Sequence, residues 1–193
     1  EFKTTNYNEW IFVLDKLFIE IMMRVAAKLP SAELWRIIGD EAVFINVIKE
    51  TKSIQSSVYA IYMVLTEMNT ELLDGRFAAK LQEDTLYCKI TQKQTLLQLQ
   101  SAAWLAVVYN YLDDLKPPSS VGVRNIFRIF DGNRNNRFFE FWGNDIDIGF
   151  RISEFTRANR LVVSIELACL IAVSETKLDA SKLKIVAYRF LKG

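Results

Sequence analysis

Carboxylates and cationic side chains are the groups of this sequence that could carry out chemistry, because its 193 residues include no histidine. The absence of histidine excludes Ser-His-Asp and Cys-His nucleophilic catalysis, histidine-based zinc sites and histidine general bases. Any reaction must therefore depend on Asp and Glu, on Lys and Arg, and on hard metal ions bound through oxygen.

Asp40 is the first such candidate. It lies between Gly39 and Glu41 in a short polar turn that separates two apolar, β-rich runs. This pattern predicts a β-hairpin with Asp40 at its tip. A carboxylate on a rigid turn suits a hard cation such as Mg²⁺ or Mn²⁺. Gly-Asp is also a common turn pair, so a purely structural turn is the alternative.

Asp147 and Arg151 form the second candidate group. They are four residues apart in a segment with a helical pattern, so both project from one helix face. They form either a surface ion pair or part of a site in which Arg151 stabilises charge on a transferring phosphoryl group.

The elements that must position these residues follow from hydrophobic periodicity and turn signals. Helices and hairpins in mixed order predict an α+β fold with an antiparallel-rich central sheet and packed helices. The predicted segments are a helix over 8–29 with Asn8 as its cap and Pro30 at its end, strands over 34–38 and 42–48, a helix from Ser53 to 72, an irregular region over 74–95, a long strand over 96–109, strands over 125–130 and 137–141, a helix over 145–155, a strand over 161–165, a helix over 166–172 and a strand over 184–190.

Composition sets the class of protein. Apolar residues make up 51% of the chain and the net charge is +1, which predicts a folded domain without a nucleic-acid or membrane partner. Cys88 and Cys169 lie in apolar sequence and are expected to be reduced core residues of a cytoplasmic protein. The first helix lacks a preceding strand and the chain lacks an initiator Met. We therefore expect one domain over 1–193, with a first strand upstream of residue 1.

Two motifs and two shorter segments resemble the class III nucleotide cyclases. In that family a Trp-Gly turn leads into a helix that carries Asn and, four residues later, Arg, and residues 139–152 read FEFWGNDIDIGFRI. Residues 36–40, RIIGD, resemble the second-strand motif, which ends in a metal-binding aspartate. Residues 161–164 and 191–193 resemble the later strand and the C-terminal Lys-Gly segment, beyond which a last strand is expected. The order of elements matches over essentially the whole chain.

The resemblance implies a role for individual residues. Asp40 would be one of two metal-binding aspartates, and Arg151 would stabilise the transition state at the α-phosphate. Arg36 and Glu140 stand where adenylate cyclases keep a base-reading Lys and Asp. Lys192 matches a phosphate-binding Lys. The family's sites hold two Mg²⁺ or Mn²⁺ ions and are shared between the subunits of a homodimer.

Two positions depart from the family pattern. Asp147 occupies the place of the Asn that orients the ribose, although a carboxylate can still accept a ribose hydroxyl. The other metal aspartate belongs to the first strand, and Asp15 on the following helix is no substitute. Either that strand precedes residue 1 or the enzyme is degenerate.

The nucleobase of the substrate is inferred from the lengths of the two side chains expected to contact it. Arg36 and Glu140 are longer than the Lys and Asp that they replace. Longer side chains would make the base pocket smaller, and a smaller pocket favours a pyrimidine. Residues 145–151 also resemble the pyrimidine cyclases of bacterial antiphage (Pycsar) systems, which make cyclic UMP or cyclic CMP. We therefore expect UTP, then CTP, as substrate. The alternatives are a purine cyclase and a degenerate module for dimerisation or nucleotide sensing. A third alternative is a diguanylate-making domain, but its Gly-Gly-Asp/Glu-Glu-Phe motif is not matched, and only residues 39–44 are similar to it.

Overall fold

The structure is a computed structural model that describes residues 7–81, 97–110, 125–131 and 137–173. These ranges contain both helices and strands, as predicted. The helices are α1 (Tyr7–Lys28), α2 (Thr51–Leu73), α3 (Arg76–Lys80), α4 (Asn144–Ser153) and α5 (Ile165–Val173). The strands are β1 (Ala32–Ile38), β2 (Glu41–Asn46), β3 (Ser101–Ala103), β4 (Tyr109–Asn110), β5 (Asn125–Asp131), β6 (Arg137–Gly143) and β7 (Leu161–Val163).

The described strands form three small sheets. Strands β1 and β2 make the predicted antiparallel hairpin, and β5 and β6 make a second antiparallel pair. Strand β3 pairs with β7, and β4 pairs with β5, both in parallel. Antiparallel and parallel pairs therefore both occur in the described part of the chain, and the class III cyclase-like arrangement stays a prediction.

The prediction of one long strand over 96–109 is wrong for the residues described. Strand β3 ends at Ala103 and β4 begins at Tyr109, because the chain changes its partner from β7 to β5 between them. Trp104, at the start of this break, packs on Phe150 of α4 with ring centroids 5.9 Å apart. Sequence alternation alone does not show where a strand changes its neighbour.

The larger core lies between α1, α2 and α3. Met68 and Phe77 are almost completely buried there, and each such side chain contributes about 1.5–3 kcal/mol when removed from water. The core consists of Val13, Leu17, Val25, Val64, Met68, Leu72, Phe77, Ala78 and Leu81. Helix α1 packs on α2 and β1. The strand predicted upstream of residue 1 lies outside the described residues.

A smaller core joins α2 to α5. Ile54, Leu167 and Ile171 are buried in it, and Ala103 of β3 and Val163 of β7 pack against it. The buried Ser164 precedes α5, and its hydroxyl accepts the backbone N–H of Leu167 at 3.3 Å. This bond satisfies a donor in the first turn of the helix.

Four local predictions need correction. Helix α1 begins at Tyr7, so Asn8 lies inside it. Helix α2 begins at Thr51, and the Ser53 hydroxyl donates to the Glu50 carbonyl at 2.7 Å instead of capping the helix. The region predicted to be irregular contains α3, where the Asp74 carboxylate accepts the backbone N–H of Arg76 at 3.0 Å. Cys169 is exposed because it lies on the side of α5 opposite Leu167 and Ile171.

Several predictions fall on other parts of the chain. Cys88, Lys192, the strand over 184–190 and the last strand after residue 193 lie outside the described residues. Among the helices within the described ranges, none has the length and apolar character needed to cross a membrane.

Candidate functional site

Asp40 lies at the tip of the β1–β2 hairpin, as predicted. The two strands pair as far as Ile38 and Glu41, which leaves Gly39 and Asp40 as a two-residue turn. Gly39 has a φ of 60°, whereas Asp40 has a negative φ, so glycine takes the position that requires left-handed backbone. The Asp40 side chain is exposed on this short turn.

A β-bulge at Trp35 shapes β1 next to this turn. The register passes from Leu34 opposite Phe44 to Arg36 opposite Val43, so Trp35 is an extra residue. A bulge interrupts the alternation of side chains and redirects those around it. The Arg36 guanidinium consequently lies over the Trp35 ring, 4.3 Å from its centroid.

The two residues predicted to select the base are in contact. Nη2 of Arg36 donates to both carboxylate oxygens of Glu140 on β6, across a separation of 104 residues in sequence. Both side chains are partly buried, at 35% and 30% exposure. A guanidinium has five N–H donors and a carboxylate has about four acceptor positions, so this pair retains capacity for a third partner.

An aromatic layer ties the hairpin to the rest of the site. Trp35 packs edge-on against Phe141 with centroids 5.1 Å apart, and its ring centroid lies 6.2 Å from that of Phe150. The ring centroids of Phe127 and Phe141 are 5.0 Å apart, so Phe127 of β5 belongs to the same layer. Because Trp104 also packs on Phe150, the layer connects β1, β5, β6 and α4.

Helix α4 carries the second predicted pair. The predicted helix is confirmed, although it ends at Ser153 instead of residue 155. Ile146 and Gly149 are buried, whereas Asp147 and Arg151 are exposed and lie one turn apart on the same face. The helix therefore presents a carboxylate and a guanidinium outward from one rigid element.

A polar network at the start of α4 was not predicted. Asn125, the first residue of β5, has no exposed surface, and its Nδ2 donates to the Val107 carbonyl at 2.8 Å and to Asp145 Oδ2 at 2.6 Å. Its Oδ1 accepts the backbone N–H of Asp145 at 3.0 Å. This one amide therefore binds α4 to β5 and to the segment before β4.

A second unpredicted feature is a charge cluster formed by side chains of α1, α2 and α3. Arg24 of α1 donates to Glu20 at 2.6 Å and to Glu71 of α2 at 2.7 Å. Lys80 of α3 donates to the same two carboxylates at 2.7 and 3.1 Å. The i, i+4 spacing of Glu20 and Arg24 could have indicated one of these pairs, whereas the other contacts depend on how three helices meet.

The charge cluster changes the titration of its members. The hydrogen bond from Lys80 lowers the pKa of Glu20, and the hydrogen bond from Arg24 lowers the pKa of Glu71, both against the opposing effect of burial. The bond to Glu20 raises the pKa of Lys80. All three groups are therefore held in their charged forms, as suits a cluster that joins helices.

The described residues include carboxylates of the type that binds hard metal ions. Asp40 and the adjacent Glu41 are exposed carboxylates at the hairpin tip, a donor type that Mg²⁺ and Mn²⁺ prefer. Within the described ranges, no three His, Cys, Asp or Glu side chains cluster in a way that could hold a metal ion. Asp40 therefore fits one ligand of a hard-cation site, and these ranges do not complete a two-metal ligand set.

Sequence reasoning missed two buried asparagines, of which Asn125 contacts α4 and Asn69 anchors Leu99. Asn69 lies on the core side of α2, next to the fully buried Met68, and it hydrogen bonds both the N–H and the carbonyl of Leu99, at 2.7 and 2.9 Å. A polar residue on an apolar helix face was the available signal. Asn125 had a weaker signal, as the polar start of an apolar β-run.

Comparisons with protein-family models, with curated proteins and with solved structures gave no match for this chain.

Proposed function

We propose that this protein is a nucleotide cyclase of the class III type. Its substrate is a nucleoside triphosphate, with UTP or CTP favoured, and its products are a 3′,5′-cyclic mononucleotide and pyrophosphate. The observation that carries the proposal is the contact between Arg36 and Glu140. It supports the proposal because it joins the two motifs that resemble the family, residues 36–40 and 139–152, at the two positions expected to bind the base.

Recognition of the base follows from the chemistry of this pair. Arg36 donates hydrogen bonds and Glu140 accepts them, and the edge of a pyrimidine offers an adjacent acceptor and donor. Stacking of the Arg36 guanidinium on Trp35 restricts its orientation and favours a planar, bidentate contact. The length of both side chains narrows the space for the second ring of a purine.

The exposed face of α4 would act on the sugar and the phosphates. Asp147 accepts a ribose hydroxyl and holds the 3′-oxygen in line with the α-phosphorus. That oxygen forms the new P–O bond and loses its proton to solvent, while the bond between the α-phosphorus and the bridging oxygen breaks and pyrophosphate leaves. Arg151 stabilises the negative charge that develops on the phosphoryl oxygens, and Lys192 is proposed to bind the leaving phosphates.

The remaining parts of the site are a cation and a second subunit. Asp40 would provide one ligand to Mg²⁺ or Mn²⁺, which supplies charge neutralisation and acidifies the attacking hydroxyl. We further propose a homodimer in which one subunit contributes Asp40 and its partner contributes α4. The cyclic nucleotide would then serve as a second messenger in antiphage defence.

The test is to incubate the protein separately with ATP, GTP, CTP and UTP in the presence of Mn²⁺, and to resolve the products by mass. Cyclic UMP or cyclic CMP is expected. Asp40→Ala should abolish product formation without unfolding the protein, since a lost metal ligand removes several kcal/mol of charge stabilisation. Asp15→Ala, which removes an exposed carboxylate on α1, is the matched control and should retain activity.

The outcomes separate the alternatives. Cyclic AMP or cyclic GMP as the main product would favour a purine cyclase. Nucleotide binding without any cyclic product would favour the non-catalytic sensing module. Full activity of Asp40→Ala would refute the proposal that Asp40 is a metal ligand.

A further inference from the structure

We infer that Asn125 is a positioning residue that sets the placement of α4 and, through it, of Asp147 and Arg151. The inference rests on the proposed function, because it concerns the orientation of groups that would act in that reaction. Asn125 does not itself lie on the exposed face of α4, since it is completely buried at the start of β5.

Helix α4 needs an external cap. Its N-cap residue is Gly143, which has a φ of 141° and no side chain to accept a hydrogen bond from the first turn. The first N–H groups of a helix have no partner within the helix, and a capping side chain normally satisfies one of them. In this protein Asn125, which pairs with Gly143 in the β5–β6 ladder, provides the acceptor from the neighbouring strand.

The geometry of the Asn125 amide determines both position and direction. Its oxygen accepts from the Asp145 backbone, and its nitrogen donates to the Asp145 carboxylate and to Val107. An amide that satisfies three groups at once tolerates little rotation, because each misaligned bond leaves a buried polar group without its partner. Asp145 is therefore held at two points, through its backbone and its side chain.

The connection to the proposed chemistry is short. Arg151 lies six residues after Asp145 on the same helix, which corresponds to about 9 Å of helical rise. A small tilt at the Asn125 contact therefore moves the guanidinium by a distance comparable to the tolerance of an active site. Misplacement of a reacting group by about 1 Å can reduce a rate on the order of 10²-fold.

A matched pair of variants separates positioning from stability. Asn125→Ala and Asn69→Ala each remove a buried amide that bonds both backbone and side-chain groups, but the bonds of Asn69 go to Leu99 and Asn159, which lie outside α4. We expect both variants to lose similar stability in denaturant unfolding. With the nucleotide that the wild type converts, kcat of Asn125→Ala should fall about 100-fold with KM changed less than about threefold, whereas kcat of Asn69→Ala should stay within about threefold.

Exchanging the amide of Asn125 with the carboxylate of Asp145 tests whether kcat can be recovered. Asn125→Asp alone places an acceptor against both the Asp145 carboxylate and the Val107 carbonyl and should lower kcat. Adding Asp145→Asn restores the carboxylate–amide bond but not the bond to Val107, so kcat of the double variant should lie above that of Asn125→Asp and below that of the wild type. Equal kcat in Asn125→Ala and Asn69→Ala would overturn the inference. If Asn125→Ala does not fold, Asp145→Ala, which removes the side-chain bond to Asn125 and keeps the backbone bond, is compared with Asn69→Ala and should lower kcat more than Asn69→Ala does.

Hydrogen exchange keeps this test independent of the proposed function. If the wild type forms no cyclic nucleotide, the cyclase proposal fails, and the positioning role is judged by exchange of the amides of residues 145–151. Asn125→Ala should then exchange these amides at least about tenfold faster than Asn69→Ala does. Equal exchange in the two variants would refute the role of Asn125.

Discussion

Gly149 of α4 lies directly against the indole of Trp104. A Cβ atom built on Gly149 would be 2.0 Å from Cε2 of that ring, well inside van der Waals contact. The close approach allows α4 to pack on the break between β3 and β4, while Phe150 contacts Trp104 and Trp35. The position of the helix that carries Asp147 and Arg151 therefore depends on the absence of a side chain at residue 149.

Gly149→Ala is expected to destabilise the protein. Alanine favours the helix by about 1 kcal/mol relative to glycine, but overpacking against Trp104 costs about 1–3 kcal/mol and requires the ring or the helix to shift. The measurement is the free energy of unfolding in urea. Ile148→Ala, at a neighbouring exposed position, is the control and should change it by less than Gly149→Ala does. An increase in stability for Gly149→Ala would contradict the close contact.

The choice of base is expected to depend on Arg36 and Glu140. Arg36→Lys combined with Glu140→Asp shortens both side chains without changing their charge, and should admit purines better. One methylene in a pocket contact contributes about 1–3 kcal/mol of discrimination, so the purine-to-pyrimidine ratio of kcat/KM should rise at least about tenfold. Initial rates with ATP and UTP at matched Mn²⁺ measure this ratio.

The single variants provide the control for that experiment. Arg36→Lys or Glu140→Asp alone should shift the ratio less than the double variant does. A wild type that prefers purines would reject the size argument and leave the general cyclase proposal in place. An unchanged ratio in the double variant would show that these residues do not select the base.

Mixing two inactive variants tests the shared site. Asp40→Ala and Arg151→Ala each damage both sites of a homodimer, whereas a mixed dimer has one site in which both residues are intact. With free exchange of subunits, activity should return to about a quarter of the wild-type value, as expected for a twofold symmetric dimer. Native mass spectrometry establishes the exchange. Mixed dimers without activity would place Asp40 and Arg151 in the same subunit's site or in none.

The charge cluster predicts how stability depends on pH. The pKa values of Glu20 and Glu71 are lowered in the folded protein, so their contribution to stability is present above the ordinary value of about 4.3 and is lost as the pH falls through the lowered values. Glu71→Gln should reduce the free energy of unfolding by about 1–3 kcal/mol at pH 7. The difference from the wild type should shrink below about pH 4.

Urea unfolding at several pH values between 7 and 3 measures this difference. Glu154→Gln, at an exposed position after α4, is the control and should follow the wild type throughout. If Glu71→Gln remains less stable by the same amount at the lowest pH, the contribution of Glu71 does not come from its ionised form.

The sequence by itself was sufficient for features whose energies are local. Gly39 and Asp40 between two β-rich runs predicted the hairpin, because glycine supplies the left-handed backbone that the turn requires. The spacing of apolar residues predicted α4, and the four-residue separation of Asp147 and Arg151 placed them on one face. These properties depend on neighbouring residues alone, so they can be predicted without a tertiary structure.

Tertiary structure decided which distant groups meet. The contact between Arg36 and Glu140 joins strands that are about a hundred residues apart in sequence. The strand predicted over 96–109 ends early because β3 and β4 have different partners, and the buried amide of Asn125 is satisfied by Val107 and Asp145 from two other segments. Hydrophobic periodicity records which face of a segment is buried, but it does not record which other segment covers that face. The partner is determined only when all the segments pack together.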